Sequence, residues 1–126
     1  MNKTIGIIGL GVMGGEYAKH LLSNGVKVEG YDNNHDMALK IESCGGIFHN
    51  RLDNWLKNCD AILFSLPNTQ AMFSTVKKLI ELKIENVPVI ETGTFNIEDK
   101  IQARDILEKN NVVLLDCPVS GTGAQA

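Results

Sequence analysis

The chain has 126 residues, a hydrophobic fraction of 44%, a charged fraction of 21% and a net charge of −3, as expected for one ordinary globular domain. A weakly acidic chain has no electrostatic attraction to nucleic acid or to an anionic membrane, so neither is an expected partner. Its apolar runs reach about five residues, far short of the roughly 20 that a membrane-spanning helix needs.

The cysteines and the N-terminus indicate a cytoplasmic location. Cys44, Cys59 and Cys117 are odd in number and widely spaced, so they form neither a disulfide framework nor a CxxC metal site. We interpret them as reduced, mostly buried thiols. The histidines show no metal-ligand spacing, and no metal site is expected. The N-terminus enters a strand pattern directly, with no signal or transit peptide.

Short apolar runs alternate with helical patterns along the whole chain. Strands are predicted at TIGIIGL, VKVEGYD, GIFHN, AILFSL, VPVIET and VVLLD. Helices are predicted between them over residues 13–24, 33–46, 52–59, 69–83 and about 96–109. We expect Trp55 in the core and the pair Lys77 and Lys78 on a solvated helix face.

This alternation predicts the fold class. Strands that are apolar on both faces and separated by helices indicate an α/β fold, with a mainly parallel sheet covered by helices on both sides. Right-handed crossovers favour a Rossmann-type, doubly wound sheet in the strand order 3-2-1-4-5-6. The ligand site of such a sheet lies at the carboxyl ends of its strands, near the switch in strand order.

The segment GLGVMG places Gly9, Gly11 and Gly14 in a GxGxxG pattern. The pattern follows a predicted strand, opens a predicted helix and is followed by an acidic residue eighteen positions beyond Gly14, which is the context of a dinucleotide-binding fingerprint. In that fingerprint Gly9 permits a tight turn, Gly11 lets a pyrophosphate approach the backbone, and Gly14 lets helix and strand pack closely. The helix N-terminus then receives the phosphates. A glycine-rich turn without a ligand is the weaker alternative.

Asp32 ends the second predicted strand, where an adenosine ribose is expected. A carboxylate there accepts hydrogen bonds from the ribose hydroxyls and repels a 2′-phosphate. Asn33, Asn34 and His35 follow instead of the arginine that an NADP site would favour. We therefore expect NAD to be preferred over NADP, with Asp32 and Asn33 at the cofactor. Alternatively Asp32 only starts a turn, and His35 or Lys40 can weaken the preference.

Two further strand ends point to the same cleft. Ser65, Leu66 and Pro67 close the fourth predicted strand, and ETGT, which ends at Thr94, closes the fifth. Small and hydroxyl-bearing residues suit a nucleotide that runs across the sheet edge, although they are also ordinary loop residues.

The sequence resembles the β-hydroxyacid dehydrogenase family, which contains the 3-hydroxyisobutyrate, tartronate-semialdehyde and 6-phosphogluconate enzymes. The similar segments are IGIIGLGVMGGEYAKHLLSNGVKVEGYD, SLP and DCPVSGTGAQA, and they span essentially the whole chain. By this resemblance, Leu10, Val12 and Met13 join the three glycines around the pyrophosphate. Leu66 and Pro67 border the adenosine.

The resemblance also implies residues for the reacting half of the site. Thr94 matches the threonine of an Asp-Ser-Ser-Thr stretch near the nicotinamide. Ser120, Gly121 and Thr122 match a Ser-Gly-Gly motif that binds the substrate carboxylate and hydroxyl groups. Two departures occur: ETGT replaces Asp-Ser-Ser-Thr, and Thr122 replaces the second glycine. Because the added side chain changes the pocket, the substrate is not copied from the best-known members.

For a whole enzyme, the resemblance implies hydride transfer between NAD(P) and a small-molecule β-hydroxyacid or the corresponding semialdehyde or keto acid. The family's catalytic lysine belongs to a second, helical domain and would lie beyond Ala126, so no catalytic residue is expected in this chain. We expect residues 1–126 to form a dinucleotide-binding domain that is inactive alone. The full-length protein is expected to form a homo-oligomer through the helical domain.

Two other functions fit the same fold. One is a stand-alone, non-catalytic module that senses NAD(H), for which the PVSG segment would have no use. The other is reduction of imines or ketones on the same scaffold, although PVSG suits a carboxylate better than an amine.

Overall fold

The structure, a computed structural model, describes residues 2–119. Within them, the strands are β1 (Thr4–Ile8), β2 (Lys27–Tyr31), β3 (Ile47–His49), β4 (Ala61–Phe64), β5 (Val89–Glu91) and β6 (Leu114–Asp116). The α-helices are α1 (Val12–Ser23), α2 (Ala38–Glu42), α3 (Thr69–Glu81) and α4 (Ile97–Glu108). Two 3₁₀ helices span His35–Met37 and Asn54–Asn58. Over this part of the chain, no helix has the length and apolar character needed to cross a bilayer.

The six strands form one parallel sheet in the order β3-β2-β1-β4-β5-β6, which confirms the predicted fold class and strand order. The central strand β1 pairs with β2 on one side and with β4 on the other. After β3 the chain therefore crosses to the opposite side of β1, and the sheet then grows in the other direction. The carboxyl ends of β1, β2 and β4 meet at this switch in strand order.

Two buried clusters cover the two faces of the sheet, as the apolar strands predict. Successive side chains of a strand point to opposite faces, so Ile7 and Ile8 of β1 belong to different clusters. The Ile7 cluster packs against α1 and α2 through Ala18 and Ile41. The Ile8 cluster contains the inward residues of α3 and α4, together with Leu56. Each cluster excludes water from one face of β1.

Two predicted helices are shorter and tighter in the structure. The segment predicted as a helix over residues 33–46 opens with the 3₁₀ turn, capped by the Asn34 side chain. Its α-helical part ends at Glu42, because Gly45 adopts a positive φ of 95°. The segment predicted over residues 52–59 is a 3₁₀ helix, since a single tight turn is enough to bury Leu56 and Cys59 three positions apart.

The prediction that Trp55 lies in the core is only partly met, because its side chain packs against the core but is only partly buried. Its indole N–H donates to the Arg51 carbonyl oxygen at 2.9 Å.

The turn between β1 and α1 depends on the absence of two side chains. Gly9 has a φ of +100°, and its N–H donates to the Tyr31 carbonyl oxygen at 2.9 Å. A Cβ on Gly14 would overlap the carbonyl oxygen of Gly9, whereas a Cβ on Gly11 would have no atom within 4 Å. Gly9 and Gly14 are thus packed within the fold, and Gly11 faces open space.

We predict that Gly14→Ala lowers the free energy of unfolding by about 3 kcal/mol, because the new methyl group displaces a backbone carbonyl. The matched control Gly11→Ala should lower it by only about 1 kcal/mol, the typical cost of alanine at a helix N-cap, because its methyl group meets no atom within 4 Å. Urea unfolding followed by circular dichroism measures both. Equal midpoints for the two variants would contradict the packing described for Gly14.

Candidate functional site

A cleft of about 880 Å³ opens at the switch in strand order, between the β1–α1 turn, the end of β2, the loop after β4 and one side of α3. Its volume is in the range of small-molecule and cofactor sites. Nine of the residues predicted at the cofactor line it: Gly9, Gly11, Val12, Met13, Asp32, Asn33, Ser65, Leu66 and Pro67. The structure therefore brings the predicted turn and two predicted strand ends together.

The remaining predicted residues lie elsewhere. Leu10 and Gly14 are buried behind the turn and support it from inside the fold. Thr94 is not among the residues that line the cleft, since it follows β5 on the far side of β4. The predicted substrate residues Ser120, Gly121 and Thr122 lie outside the described residues.

The N-terminus of α1 is open toward the cleft. Its N-cap is Gly11, which provides no side-chain hydrogen bond, and its first turn has no acidic residue. By contrast, the side chains of Asn68 and Asn96 accept backbone N–H groups at the starts of α3 and α4. The first N–H groups of a helix lack intrahelical partners. Those of α1 are thus available to an anion, together with the positive end of the helix dipole.

Asp32 connects the end of β2 to the glycine turn. Its Oδ2 accepts the Leu10 N–H at 2.7 Å, and its Oδ1 accepts the Asn34 N–H at 2.8 Å. The Asn34 bond is the local turn that the sequence left open as an alternative. The Leu10 bond additionally fixes the carboxylate beside the β1–α1 turn. Each carboxylate oxygen can accept a further hydrogen bond, so Asp32 remains able to bind a ligand hydroxyl.

One wall of the cleft, formed by α3, was not predicted from the sequence. The small or hydroxyl-bearing residues Ala71, Ser74 and Thr75 line it, followed one turn later by Lys78. Positions three and four apart share one face of a helix, so this narrow stripe of small residues beside the apolar face was the available signal. Lys77 is exposed as expected, yet it also borders the cleft.

Arg51 is a second cleft residue that the sequence analysis missed. It follows β3, whose end lies next to that of β2 in the sheet. Its guanidinium pairs with the Asp53 carboxylate at 3.0 Å and is largely solvent-exposed. An exposed ion pair of this kind contributes little to stability.

A second group of polar residues lies where β5 and β6 end. Glu91 is fully buried, and its Oε1 accepts the Gly93 N–H at 2.5 Å. The Lys100 ammonium donates to the Gly93 carbonyl oxygen and, at 2.5 Å, to Asp116 Oδ1. Burial raises the pKa of Glu91, and the negative charge of Asp116 raises it further. The hydrogen bond from the Gly93 N–H and the positive charge of Lys100 lower it, but the net shift is upward. Among the described residues, Glu91 Oε2 has no hydrogen-bond partner.

Within the ETGT segment, the side chain of Glu91 and the missing side chain of Gly93 depend on each other. A Cβ on Gly93 would lie 2.7 Å from Glu91 Oε1 and equally close to the Phe95 ring. The longer acidic side chain at position 91 therefore occupies the space that a serine side chain would need at position 93.

The cysteines contribute no reactive group to the cleft. Cys59 is buried, and burial, followed by the charges of Glu29 and Asp60, raises the pKa of its thiol to about 12. Cys44 and Cys117 are exposed, so the expectation of mostly buried thiols is wrong for these two. Over residues 2–119, no three histidine, cysteine, aspartate or glutamate side chains come together in a way that could hold a metal ion.

Because its folded-state pKa is raised, Glu91 keeps a proton in the folded chain at pH values where the unfolded chain has lost it. Its contribution to stability is complete below the unfolded pKa of about 4.3 and falls as the pH rises through the raised folded-state pKa. We predict that Glu91→Gln abolishes this fall. The difference in free energy of unfolding between Glu91→Gln and the unaltered chain should grow by about 1.4 kcal/mol per pH unit in that window.

Urea unfolding between pH 4 and pH 8 measures this difference, with the exposed Glu85→Gln as control. Parallel pH dependences for the unaltered chain and Glu91→Gln would show that Glu91 ionises normally in the folded protein.

Comparisons with known proteins identify the family of the chain and proteins of the same fold. The sequence matches the family model of the NAD-binding domain of 6-phosphogluconate dehydrogenase over residues 4–126. It is 27% identical over 130 residues to a probable mitochondrial 3-hydroxyisobutyrate dehydrogenase of Dictyostelium discoideum. That alignment covers 99% of this chain and 40% of the relative.

Solved structures show the same fold. A 3-hydroxyisobutyrate dehydrogenase from Mycobacterium tuberculosis, solved with L-serine, matches with a TM-score of 0.93 and 23% identity, over 100% of this chain and 43% of that one. An imine reductase from Bacillus cereus BAG3X2 matches with a TM-score of 0.89 and 20% identity, over 98% of this chain and 43% of that one. At these identities the likeness concerns the fold alone.

The chain thus spans less than half the length of these three proteins. The family match nevertheless includes nearly every residue, from β1 to the end of the sequence. The glycine turn, the open helix N-terminus and Asp32 are placed as a dinucleotide-binding fingerprint requires. The chain therefore belongs to the family of the NAD-binding domain of 6-phosphogluconate dehydrogenase, in agreement with its resemblance to β-hydroxyacid dehydrogenases.

Proposed function

We propose that the chain is the cofactor-binding domain of an NAD(P)-dependent oxidoreductase that acts on a β-hydroxyacid or the corresponding semialdehyde or keto acid. One observation carries the cofactor part of this proposal. The open N-terminus of α1 and the Asp32 carboxylate line the same cleft, and a hydrogen bond from Leu10 to Asp32 connects them. A dinucleotide needs both features, an anion site for its phosphates and an acceptor for its ribose.

The residues of the turn fit a pyrophosphate. Space is open where a Cβ of Gly11 would stand, so a phosphate can come close to the backbone. The N–H groups that follow, at Val12 and Met13, belong to the first turn of α1 and have no intrahelical acceptor. In this proposal these groups bind the phosphate oxygens, and the helix dipole favours the negative charge.

The adenosine half is proposed to lie between the ends of β2 and β4. Asp32 and Asn33 would accept and donate hydrogen bonds at the ribose, while Leu66 and Pro67 would cover the adenosine. The preference for NAD over NADP follows from the charge of Asp32, which repels a 2′-phosphate. Arg51 borders the same cleft and would attract such a phosphate, and its exposed ion pair with Asp53 offsets only part of that attraction, so the preference rests on Asp32.

The nicotinamide half is proposed to extend toward the loop after β5, which bears Thr94. When bound, NAD(P) supplies the carbon that takes up or gives back the hydride. The residues of this chain would hold the nicotinamide in position, and correct orientation of two reactants supplies a large part of an enzyme's rate enhancement. Ser120, Gly121 and Thr122 remain the predicted substrate residues. The acid–base residue, the helical domain, the homo-oligomer and the cytoplasmic location likewise remain predictions.

We predict that NADH binds this chain more tightly than NADPH does, and that Asp32→Ala abolishes the difference. Loss of the charged acceptor should raise the Kd for NADH about tenfold or more, because hydrogen bonds to a charged group are worth roughly 1.5–3 kcal/mol. Calorimetric titrations at fixed salt concentration measure both constants. Asp36→Ala, which removes the same charge from an exposed neighbouring position, should leave the ratio of the two constants unchanged.

Equal or tighter binding of NADPH to the unaltered chain would contradict the proposed role of Asp32. Asp32→Ala also releases the Leu10 and Asn34 N–H groups. Its urea unfolding midpoint therefore has to be measured alongside, so that a loss of the fold is not mistaken for a loss of ligand contacts.

A further inference from the structure

We propose that Lys100 is a positioning residue, which fixes the loop after β5 against the end of β6 and thereby orders the nicotinamide half of the bound dinucleotide. This inference rests on the function proposed above. It concerns a lysine of the described chain that the sequence patterns leave without a role.

Lys100 is an unusually placed cation. It lies in the first half of α4, and its side chain is only 6% exposed. A buried ammonium group is strongly unfavourable unless it is paired and hydrogen-bonded. Its two acceptors are the Gly93 carbonyl oxygen and Asp116 Oδ1. Lys100 thus contacts the ends of two neighbouring strands, at the edge of the sheet where the ligand cleft also lies.

The loop after β5 depends on side chains for its conformation. It begins at Thr92, whose hydroxyl donates to the Phe64 carbonyl oxygen at 2.8 Å. Its next residue, Gly93, is held on both sides: its N–H donates to Glu91 and its carbonyl oxygen accepts from Lys100. Thr94 follows directly. Because Lys100 fixes the carbonyl group that precedes Thr94, it determines where the Thr94 backbone lies.

The segment after β6 is held to the same loop. The Cys117 N–H donates to the Glu91 carbonyl oxygen at 2.8 Å, and the Val119 N–H donates to the Thr92 carbonyl oxygen at 3.0 Å. Lys100 adds a side-chain connection between these two backbone segments. Lys100 is also the counter-charge of the half-exposed Asp116 carboxylate, which lies close enough to the buried Glu91 carboxyl group to raise its pKa.

Lys100 lies outside the lining of the cleft that holds the proposed adenosine half of the site. Neither Lys100 nor Gly93 lines the 880 Å³ cleft that contains the glycine turn and Asp32. Removing the ammonium group should therefore disturb the two halves of the ligand differently. Binding of the ADP-ribose part should persist, and the additional affinity that the nicotinamide part provides should be lost.

The test compares ADP-ribose with NADH, using Lys100→Met and calorimetric titration. We expect the Kd for NADH to rise about tenfold, while the Kd for ADP-ribose changes by less than about twofold. The fluorescence of the bound reduced nicotinamide gives an independent signal, which should become closer to that of free NADH. The control Lys109→Met, at an exposed position just after the same helix, should leave both constants and the fluorescence unchanged.

Asp116→Asn is the second variant, because the Asp116 side chain is half-exposed and its replacement leaves Lys100 bonded to Gly93. It should weaken NADH binding selectively, as Lys100→Met does, but to a smaller extent. Urea unfolding establishes that each variant is folded. If a folded Lys100→Met or Asp116→Asn chain loses affinity for both ligands equally, or for neither, the inference is overturned.

Titrations of the unaltered chain with NADH and ADP-ribose distinguish failure of this inference from failure of the proposed function. If it binds neither NADH nor ADP-ribose, the proposed function fails, and the inference falls with it. If it binds both with the same affinity, the cleft holds the adenosine half as proposed. In that case the nicotinamide half gains nothing from an ordered loop, and the role assigned to Lys100 is wrong.

Discussion

The close contact between Gly14 and the Gly9 carbonyl oxygen is the constraint from which the site follows. Because no side chain separates them, α1 begins immediately after β1 and lies tightly against the turn. A helix placed in this way directs its first N–H groups at the carboxyl ends of the strands. The same proximity lets the Leu10 N–H reach Asp32, so that the end of β2 and the turn are fixed relative to each other.

The edge of the sheet thus contains two differently built regions. On one side of β4, backbone N–H groups and one carboxylate border an open cleft. On the other side, a buried lysine bonds both to Gly93, after β5, and to Asp116 of β6. The first region is suited to bind phosphate and ribose. The second joins the loop after β5 to the end of β6, and we propose that this loop meets the nicotinamide.

Sequence reasoning succeeded where a feature is local or periodic. The strand order followed from the alternation of apolar runs and from the handedness of crossovers, and nine predicted residues were found in one cleft because strand ends converge. Its errors concern lengths and long-range contacts. Nothing in the periodicity distinguishes the 3₁₀ turn around Leu56 from an α-helix, since both bury residues three apart.

The pairing of Lys100 with Asp116 could not be predicted for a related reason. The two residues are 16 positions apart, on a helix and a strand, and a polar residue in a helix is ordinarily expected at the surface. Only the packing of α4 against β6 and α3 turns this lysine inward. The close packing of Glu91 against Gly93 was equally hidden in the sequence, because it depends on the distance between the Glu91 carboxyl oxygen and position 93.

The most direct test of the account is a crystal structure of this chain bound to NAD. We expect the pyrophosphate at the N–H groups that begin α1, next to Gly11, and the adenosine ribose hydroxyls within hydrogen-bond distance of the Asp32 carboxylate. A dinucleotide bound at another surface, or one whose ribose lies away from Asp32 while the fold is intact, would contradict the account.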